Sequence, residues 1–425
     1  MQREHRGFKF DWITIVLFLL LVGFGWVNII SASHNGEIIS YFDMEYPYGK
    51  QSVFIMLTFV LIILILSIEA KFYERFASII YLASLLSLIG LFIFGKNVNG
   101  ATSWYALGGM TIQPSEFAKF ATALAVAKYI SDLQTNIKTI QDQLKTMAII
   151  LVPSILILLQ NDAGSTLVYS AFFFVFYREG LQQIYLIVGL AIILISVCSL
   201  KFGLVITSIA CGVIILGVYL LKRKKRNSIF LSISTLMVCI GFAFCVNQFY
   251  SHILKPHQKD RISLWLRLEK DPEKLKQMKR TILYNLNESE KAISSGGLTG
   301  KGFLEGTRTT GKFVPEQHTD YIFSTIGEEW GFVGSVFVII LFVGLIARII
   351  YLSETQKNQF SRVYGYGVAS ILFIHFTINI GMVMGLIPTI GIPLPFFSYG
   401  GSGLWGFTIL LFIFIKLDSN KINEW

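Results

Sequence analysis

Long, continuously apolar runs separated by polar stretches dominate this chain. Runs long enough to cross roughly 30 Å of hydrocarbon fall near 13–30, 50–68, 78–95, 146–160, 183–200, 203–221, 229–248, 329–351, 364–386 and 402–417. Two more are shorter or carry charge: 116–131, which opens on Glu116 and Lys119, and 165–178. The period-two alternation of an outer-membrane barrel is absent, so the runs predict helices. The expected fold is therefore an all-α polytopic membrane protein, a single membrane domain over 1–425 with about twelve transmembrane helices.

Composition agrees with that pattern. Of 425 residues 54% are hydrophobic and only 15% charged, where a soluble domain carries about a quarter, which excludes a soluble enzyme with one anchor. The net charge of +10 is scattered between apolar runs, so it fits basic loops and an anionic ligand rather than nucleic acid. Cys198, Cys211, Cys239 and Cys245 all lie inside apolar runs without CxxC spacing, so neither a disulfide framework nor a zinc site is expected. The first run follows Arg3, Arg6 and Lys9 but ends without a clean small-residue cleavage site, which predicts a retained helix rather than a signal peptide.

Basic residues set the orientation. With the N-terminus inside, Lys138, Lys145 and the cluster Lys222, Arg223, Lys224, Lys225 and Arg226 fall in cytoplasmic loops, as the positive-inside rule requires. Twelve crossings return the C-terminus to the cytoplasm, and segments 31–49, 96–115, 161–164, 249–328 and 387–401 face outward. The polar residues that carry chemistry, Glu116, Lys119, Asp162, Asp320 and the stretch Pro388 to Gly403, collect on that outer side, whereas the inner loops read as basic connectors.

Segment 249–328 is too long to be an idle connection. Its first half is rich in cations, among them Lys255, Lys259, Arg261, Arg267, Lys270, Lys274, Lys276, Lys279 and Arg280. It also reads as an amphipathic helix lying on the membrane with Ile262, Leu264, Trp265, Leu266 and Leu268 toward lipid. The second half contains Gly296, Gly297, Gly300 and Gly302, which allow close approach of backbone to a phosphate or sugar, though without the spacing of a Walker loop.

Four motifs now carry a resemblance. Gln113-Pro114-Ser115-Glu116-Phe117-Ala118-Lys119, Asp162-Ala163-Gly164-Ser165-Thr166, His318-Thr319-Asp320-Tyr321-Ile322-Phe323 with Gly327-Glu328-Glu329, and Pro388 through Ser402 (PTIGIPLPFFSYGGS) resemble, in order and spacing, the motif set of the SEDS family (shape, elongation, division and sporulation). Leu254 to Ile262 and Gly300 to Thr307 are most similar to the family's rod-shape elongation branch, with the division branch as the rival. The resemblance implies a peptidoglycan glycosyltransferase that polymerises lipid II, an undecaprenyl-pyrophosphate-linked disaccharide-pentapeptide, on the outer leaflet of the bacterial cytoplasmic membrane. It implies a class B penicillin-binding protein, a transpeptidase, as partner, within a larger elongation complex. Family members usually have ten spans, so 183–248 is expected to contain an inserted helix pair. Ser103 stands where the family often has Arg, and Asn161 where it often has Pro, which puts an arginine contact at 103 in doubt.

Extending a β-linked glycan from an α-linked lipid diphosphate inverts the anomeric centre. A base is needed for the acceptor hydroxyl and positive charge for the departing pyrophosphate. Asp320 is the candidate base; the alternative is that Thr319 or Asp320 merely caps the helix starting near Tyr321. Glu116 and Lys119 share one helix face, Lys119 to meet pyrophosphate and Glu116 to hold it, or both as a structural pair. Asp162 either coordinates a divalent cation (Mg or Mn, with Asp320 as the other possible ligand), orients Lys119, or caps the following helix. The motifs extend the substrate-binding set to Gln113, Ser115, His318, Thr319, Ser398, Gly400 and Gly401. Pro388 to Ser402 cannot be regular helix and must line a cavity or be buried. His375, inside an apolar run, reads as a packing residue. A flippase for the same lipid and a non-catalytic scaffold remain as alternatives; glycan polymer formed from lipid II by the purified protein separates them from an enzyme.

Overall fold

The computed structural model describes residues 10–34, 40–98, 100–108, 110–222, 229–254, 256–269, 271, 273 and 284–421. Among these, nine helices are long and apolar enough to cross a membrane. The chain divides into two compact units, one of Met1–Leu181, Glu288–Gly385 and Thr389–Trp425, the other of Gln182–Asn287 and Leu386–Pro388.

The first unit begins with α1 (Trp12–Ser33), whose first turn is closed by Asp11 accepting the Thr14 amide at 3.0 Å. Arg348, on a later helix, clamps the same carboxylate. Pro47 and Pro114 open α2 (Pro47–Ser67) and α4 (Pro114–Ile130), where a missing N–H costs nothing. Between them lie α3 (Ala70–Phe94) and a small antiparallel sheet of order β1-β2-β3: β1 (Lys96–Val98), β2 (Ala101–Leu107) and β3 (Met110–Ile112). Lys96 pairs with Trp104 and Tyr105 with Ile112. Thr102, Trp104 and Tyr105, residue types favoured in strands, explain a strand inside what reads as a loop. Then follow α5 (Ile140–Leu159) and a broken run, α6 (Ala163–Val168) and α7 (Phe172–Arg178), joined by one 3₁₀ turn.

The second unit holds α8 (Gln183–Lys222), α9 (Ile229–Gln248) and α10 (Pro256–Trp265). Gly203, with φ 84° and ψ 167°, interrupts α8 in a conformation open to glycine. Both halves of α8 lie against the same stretch of α9: Ser199 Oγ donates to the Ala243 carbonyl at 3.0 Å, and Cys211 reaches Cys239. A straight helix would separate positions 199 and 211 by about 18 Å, whereas 239 and 243 are one turn apart, so the chain folds back at Gly203. Counting those halves separately, and adding α4 and the broken α6–α7 run, is compatible with twelve crossings. In α10 the indole of Trp265 donates to the Leu386 carbonyl at 3.0 Å, and Leu264 and Leu266 are buried rather than turned to lipid as the amphipathic pattern had implied. The basic cluster 223–226 and Lys255, Lys270, Lys274, Lys276, Lys279 and Arg280 lie outside the described residues.

Returning to the first unit, α11 (Tyr284–Ser295), α12 (Thr307–Thr310) and α13 (Ile322–Glu329) precede α14 (Gly331–Glu354), α15 (Gln359–Val383) and α16 (Gly401–Asn420). The last two are the most buried of the nine spans; α15 packs on α4 and α14, and α16 on α2 and α4. Phe18 sits edge-on between Phe396 and Phe412 at 5.1 and 5.0 Å, locking α1 to α16 and to the turn before it.

The glycine-rich stretch serves packing. At Gly300 (φ 82°) an added Cβ would fall 2.1 Å from the Glu329 carbonyl, and the amides of Lys301 and Gly302 donate to the carbonyls of Glu328 and Glu329 at 3.1 and 3.0 Å. These glycines thus close the C-terminal end of α13 instead of cradling a phosphate. Two neighbouring carboxylates there have opposite surroundings. Glu328 accepts from Lys301 Nζ at 2.6 Å and from the Thr309 amide and hydroxyl at 2.8 Å each; although burial opposes it, these donors hold its carboxyl below the usual range. Glu329 has no cation among the described residues, only such donors as the Ser31 hydroxyl on α1, and burial, aided by the charge of Glu328, pushes it up to about 7.

Candidate functional site

The four motifs converge at one end of the first unit, around a cavity of about 430 Å³. Its wall includes Lys50 and Phe54 of α2, Trp104 of β2, Gln113 and Glu116 at the start of α4, Thr319, and the turn from Pro393 through Gly403 with Ser398, Tyr399, Gly400 and Gly401. Three helices, α2, α4 and α16, begin at this wall, so their first-turn amides add partial positive charge.

The Pro388 to Gly400 stretch is irregular, as its prolines require, and it is pinned from both sides. Ser398 Oγ donates to the Thr319 carbonyl at 2.6 Å, the Tyr399 amide to the His318 carbonyl at 2.9 Å, and the Gly400 amide to Gln51 Oε1 at 3.1 Å. Asn379, buried in α15, donates to the carbonyls of both Asp320 and Ile392, at 2.8 and 2.7 Å. Its amide thereby joins the Asp320 loop to the proline-rich turn.

Asp320 stands next to the wall residue Thr319. Its Oδ2 lies 3.2 Å from where a Cβ on Gly391 would be, a tight approach, and Gly391 has φ 78°, the left-handed region that favours glycine. Neither carboxylate oxygen accepts a hydrogen bond among the described residues. Desolvation, with the charges of Glu316 and Asp162 adding to it, pushes Asp320 up to about 7. Nor does it cap α13: the N-cap position there is Tyr321, whose side chain makes no capping bond, and Thr319 Oγ1 bonds Glu316 instead. Sequence reasoning left capping open for Asp320, and the structure removes it. His318 packs its ring on Tyr399 at 5.4 Å, and burial lowers its pKa below the ordinary histidine value.

Asp162 is an N-cap. Its Oδ1 accepts the Ser165 amide at 2.9 Å, and its Oδ2 accepts the Ser165 hydroxyl at 2.8 Å and Gln113 Nε2 at 3.0 Å. Ser115 lies 3.5 Å from Ser165, and the Gln113 amide donates to Ser402 Oγ at 3.1 Å. Gln113, Ser115 and Asp162 thus knit α4, α6 and α16 together. Among the described residues no three His, Cys, Asp or Glu side chains are arranged to hold a metal ion, so Asp162 and Asp320 form no ready-made cage for Mg or Mn.

Glu116 and Lys119 form a buried ion pair. Lys119, 2% exposed, lies behind the wall and donates to Glu116 Oε1 and Oε2 at 2.7 and 2.8 Å. Its third neighbour is His375 Nε2 at 3.0 Å, while His375 Nδ1 lies 3.2 Å from the Pro393 carbonyl. The Phe407 ring stands 4.8 Å from the ammonium. Pro393 accepts only, so Nδ1 carries the imidazole proton and Nε2 accepts from Lys119. His375 is therefore more than packing: it ties the ion pair to the proline-rich turn. Sequence reasoning also passed over Lys50 and Trp104 of the wall. A polar residue in the first turn of an apolar run was the available signal for Lys50.

With this geometry established, comparison with known proteins is informative. The FtsW/RodA/SpoVE description, cell cycle protein, matches residues 11–205 and 202–423. The peptidoglycan glycosyltransferase RodA of Treponema pallidum (strain Nichols) is 30% identical over 97% of this chain and 98% of its own length. The peptidoglycan glycosyltransferase MrdB of Escherichia coli (strain K12) is 31% identical over 92% of this chain and 88% of its own. Among solved structures, a chain from a peptidoglycan synthase complex, described as coordinating polymerization and crosslinking, superposes with a TM-score of 0.70 at 26% identity, covering 98% of this chain and all of that one. With matches along nearly its whole length, the chain belongs to the FtsW/RodA/SpoVE family of cell cycle proteins.

Proposed function

We propose that this chain is a peptidoglycan glycosyltransferase of the RodA type, a multi-pass bacterial membrane protein that polymerises lipid II into glycan strands during cell elongation. The observation that carries the reading is Asp320: a carboxylate with no hydrogen-bond donor among the described residues, beside the 430 Å³ cavity, with its pKa pushed to about 7. A base is most effective when its pKa lies near the working pH.

In the proposed step the acceptor sugar hydroxyl gives its proton to the Asp320 carboxylate. The freed oxygen forms the bond to C1 of the donor sugar, and the C1–oxygen bond to the diphosphate breaks, its electron pair leaving with the diphosphate. Configuration at C1 inverts. Trp104 and Tyr399 on the wall offer aromatic faces to sugars, and Glu116 and Gln113 offer polar contacts. A divalent cation, Mg or Mn, would be shared between Asp162 or Asp320 and substrate phosphates, as Mg²⁺ sites are commonly built.

The sidedness expected from the basic loops puts both termini in the cytoplasm and this cavity at the outer leaflet, where lipid II is presented. A class B penicillin-binding protein is the proposed partner, supported by the likeness to a chain of a peptidoglycan synthase complex. The test is the purified protein in lipid nanodiscs with lipid II, assayed for polymer with and without that transpeptidase. Polymer formed by the wild-type chain supports the reading; lipid II moved across a bilayer with no polymer would overturn it in favour of a flippase.

A further inference from the structure

The reaction releases a diphosphate, and the cation that receives it must have protons to donate. Lys119 does not. An ammonium has three N–H bonds, and those of Lys119 are directed at Glu116 Oε1, Glu116 Oε2 and His375 Nε2. Its charge is matched by that of Glu116, and at 2% exposure it presents almost nothing to the cavity.

Lys50 is in the opposite condition. It is part of the cavity wall, and its ammonium has no carboxylate or other acceptor among the described residues. The backbone that carries it is fixed on both sides. A Cβ on Gly49 would lie 1.9 Å from the Asp43 carbonyl, so the 40–46 turn lies flat against the helix there, and Gln51 is bonded to the Gly400 amide at 3.1 Å. The ammonium thus meets no acceptor among the described residues, while the backbone that carries it is packed on one side and bonded on the other. A cation with no acceptor among the described residues, at the mouth of a membrane helix, is costly to keep, and such residues ordinarily mark a functional site. The first turns of α2, α4 and α16 at the same wall add to the positive potential. His318 contributes no charge when its imidazole is neutral.

We infer that Lys50 binds the diphosphate of the lipid donor and takes up the charge that develops as it leaves, while the Glu116–Lys119–His375 group holds the wall in shape. This rests on the polymerase reading of the same cavity and names which residue meets the leaving group.

The experiment uses the full chain in phosphatidylcholine nanodiscs, so that no anionic headgroup competes. Inorganic pyrophosphate and a short-chain prenyl diphosphate are titrated against tryptophan fluorescence, reported by Trp104 on the wall, and lipid II polymerisation is measured in parallel. Lys50→Met should weaken binding of both probes about ten- to hundredfold, the loss of a charge-assisted bond, and lower kcat with lipid II at least as much. Lys50→Arg should retain most of both. The melting temperature should not fall, since Lys50 has no side-chain partner among the described residues. Repeating the titration in nanodiscs containing phosphatidylglycerol separates a lipid headgroup from a diphosphate: competition confined to the headgroup, with no binding of either probe, overturns the proposal. So does probe binding by Lys50→Met within twofold of wild type. Lys50-dependent probe binding without any glycan would uphold the diphosphate site while refuting the polymerase reading, and normal polymer from Lys50→Met would do the reverse.

Discussion

With Asp320 as the proposed base, Asp320→Asn separates catalysis from stability, because the two effects then carry opposite signs. The amide keeps size and polarity but accepts no proton, and loss of a general base lowers rates by about 10² to 10⁴. Stability moves the other way. The folded pKa of Asp320 is raised from 3.8 to about 7, so between those values the unfolded chain releases a proton that the folded chain retains. Wild-type stability therefore declines as pH rises from about 4 to 7, and the full penalty is present above 7. At about 1.4 kcal/mol per pH unit the interval sets an upper bound near 4 kcal/mol, and partial solvent contact of the carboxylate reduces this to about 1–2 kcal/mol. Asp320→Asn should accordingly raise the apparent melting temperature in detergent at pH 8 but leave it unchanged near pH 4, while polymerisation from lipid II collapses. The wild-type rate should itself climb with pH through about 7 as the base loses its proton. A variant rate within tenfold of wild type, or a variant that melts lower at pH 8, would refute the reasoning.

Other outcomes follow from the buried charges and from sidedness. Lys119→Met leaves Glu116 as an uncompensated buried carboxylate, a loss of about 3–5 kcal/mol, so the variant should accumulate poorly; adding Glu116→Gln should restore yield and melting temperature, and failure to do so would deny that the pair acts as a unit. Glu329→Gln should be neutral or stabilising above pH 7, where its raised pKa makes the charged form costly, whereas Glu328→Gln should destabilise, because a carboxyl held low contributes stability above its ordinary pKa and loses it only as pH falls through the folded value; melting curves at pH 8 read both. Asn287→Cys should react with an impermeant thiol reagent added from outside and Lys224→Cys should not, and the reverse labelling would remove outer-leaflet lipid II as substrate.

The helices were legible from the sequence because continuous apolar runs admit few other structures, and the charged motifs stood out because charge at a helix mouth is rare. What the sequence concealed depends on partners far along the chain. Lys119 and Glu116 are visibly a pair at helical spacing, but the third ligand, His375, comes from α15 and looked like packing in its own run. Asp320 could have been a cap, and only the observed N-cap at Tyr321 frees it. The sheet over 96–112 was hidden by its short strands. Gly203 marked the boundary between two apolar runs, yet its role as a reversal shows only in the contacts of Ser199 and Cys211 with α9. Glycines 296 to 302 invited a ligand reading, since glycine permits close approach to anything; here it is another stretch of backbone.

The last helix has a consequence for biogenesis. Among the nine spans, α16 is the least apolar and the most completely buried, so in the folded protein it is stabilised mainly by protein surfaces rather than by contact with lipid. It also supplies the turn that closes the cavity, with Gly400 held by Gln51 across nearly the entire chain, a sequence separation of 349. A nascent chain that has not yet placed this segment carries Lys50, Glu116, Lys119, Asp162 and Asp320 but has no enclosed site in which they can act. A chain truncated before this segment should therefore form no polymer from lipid II, however many of its other helices have crossed.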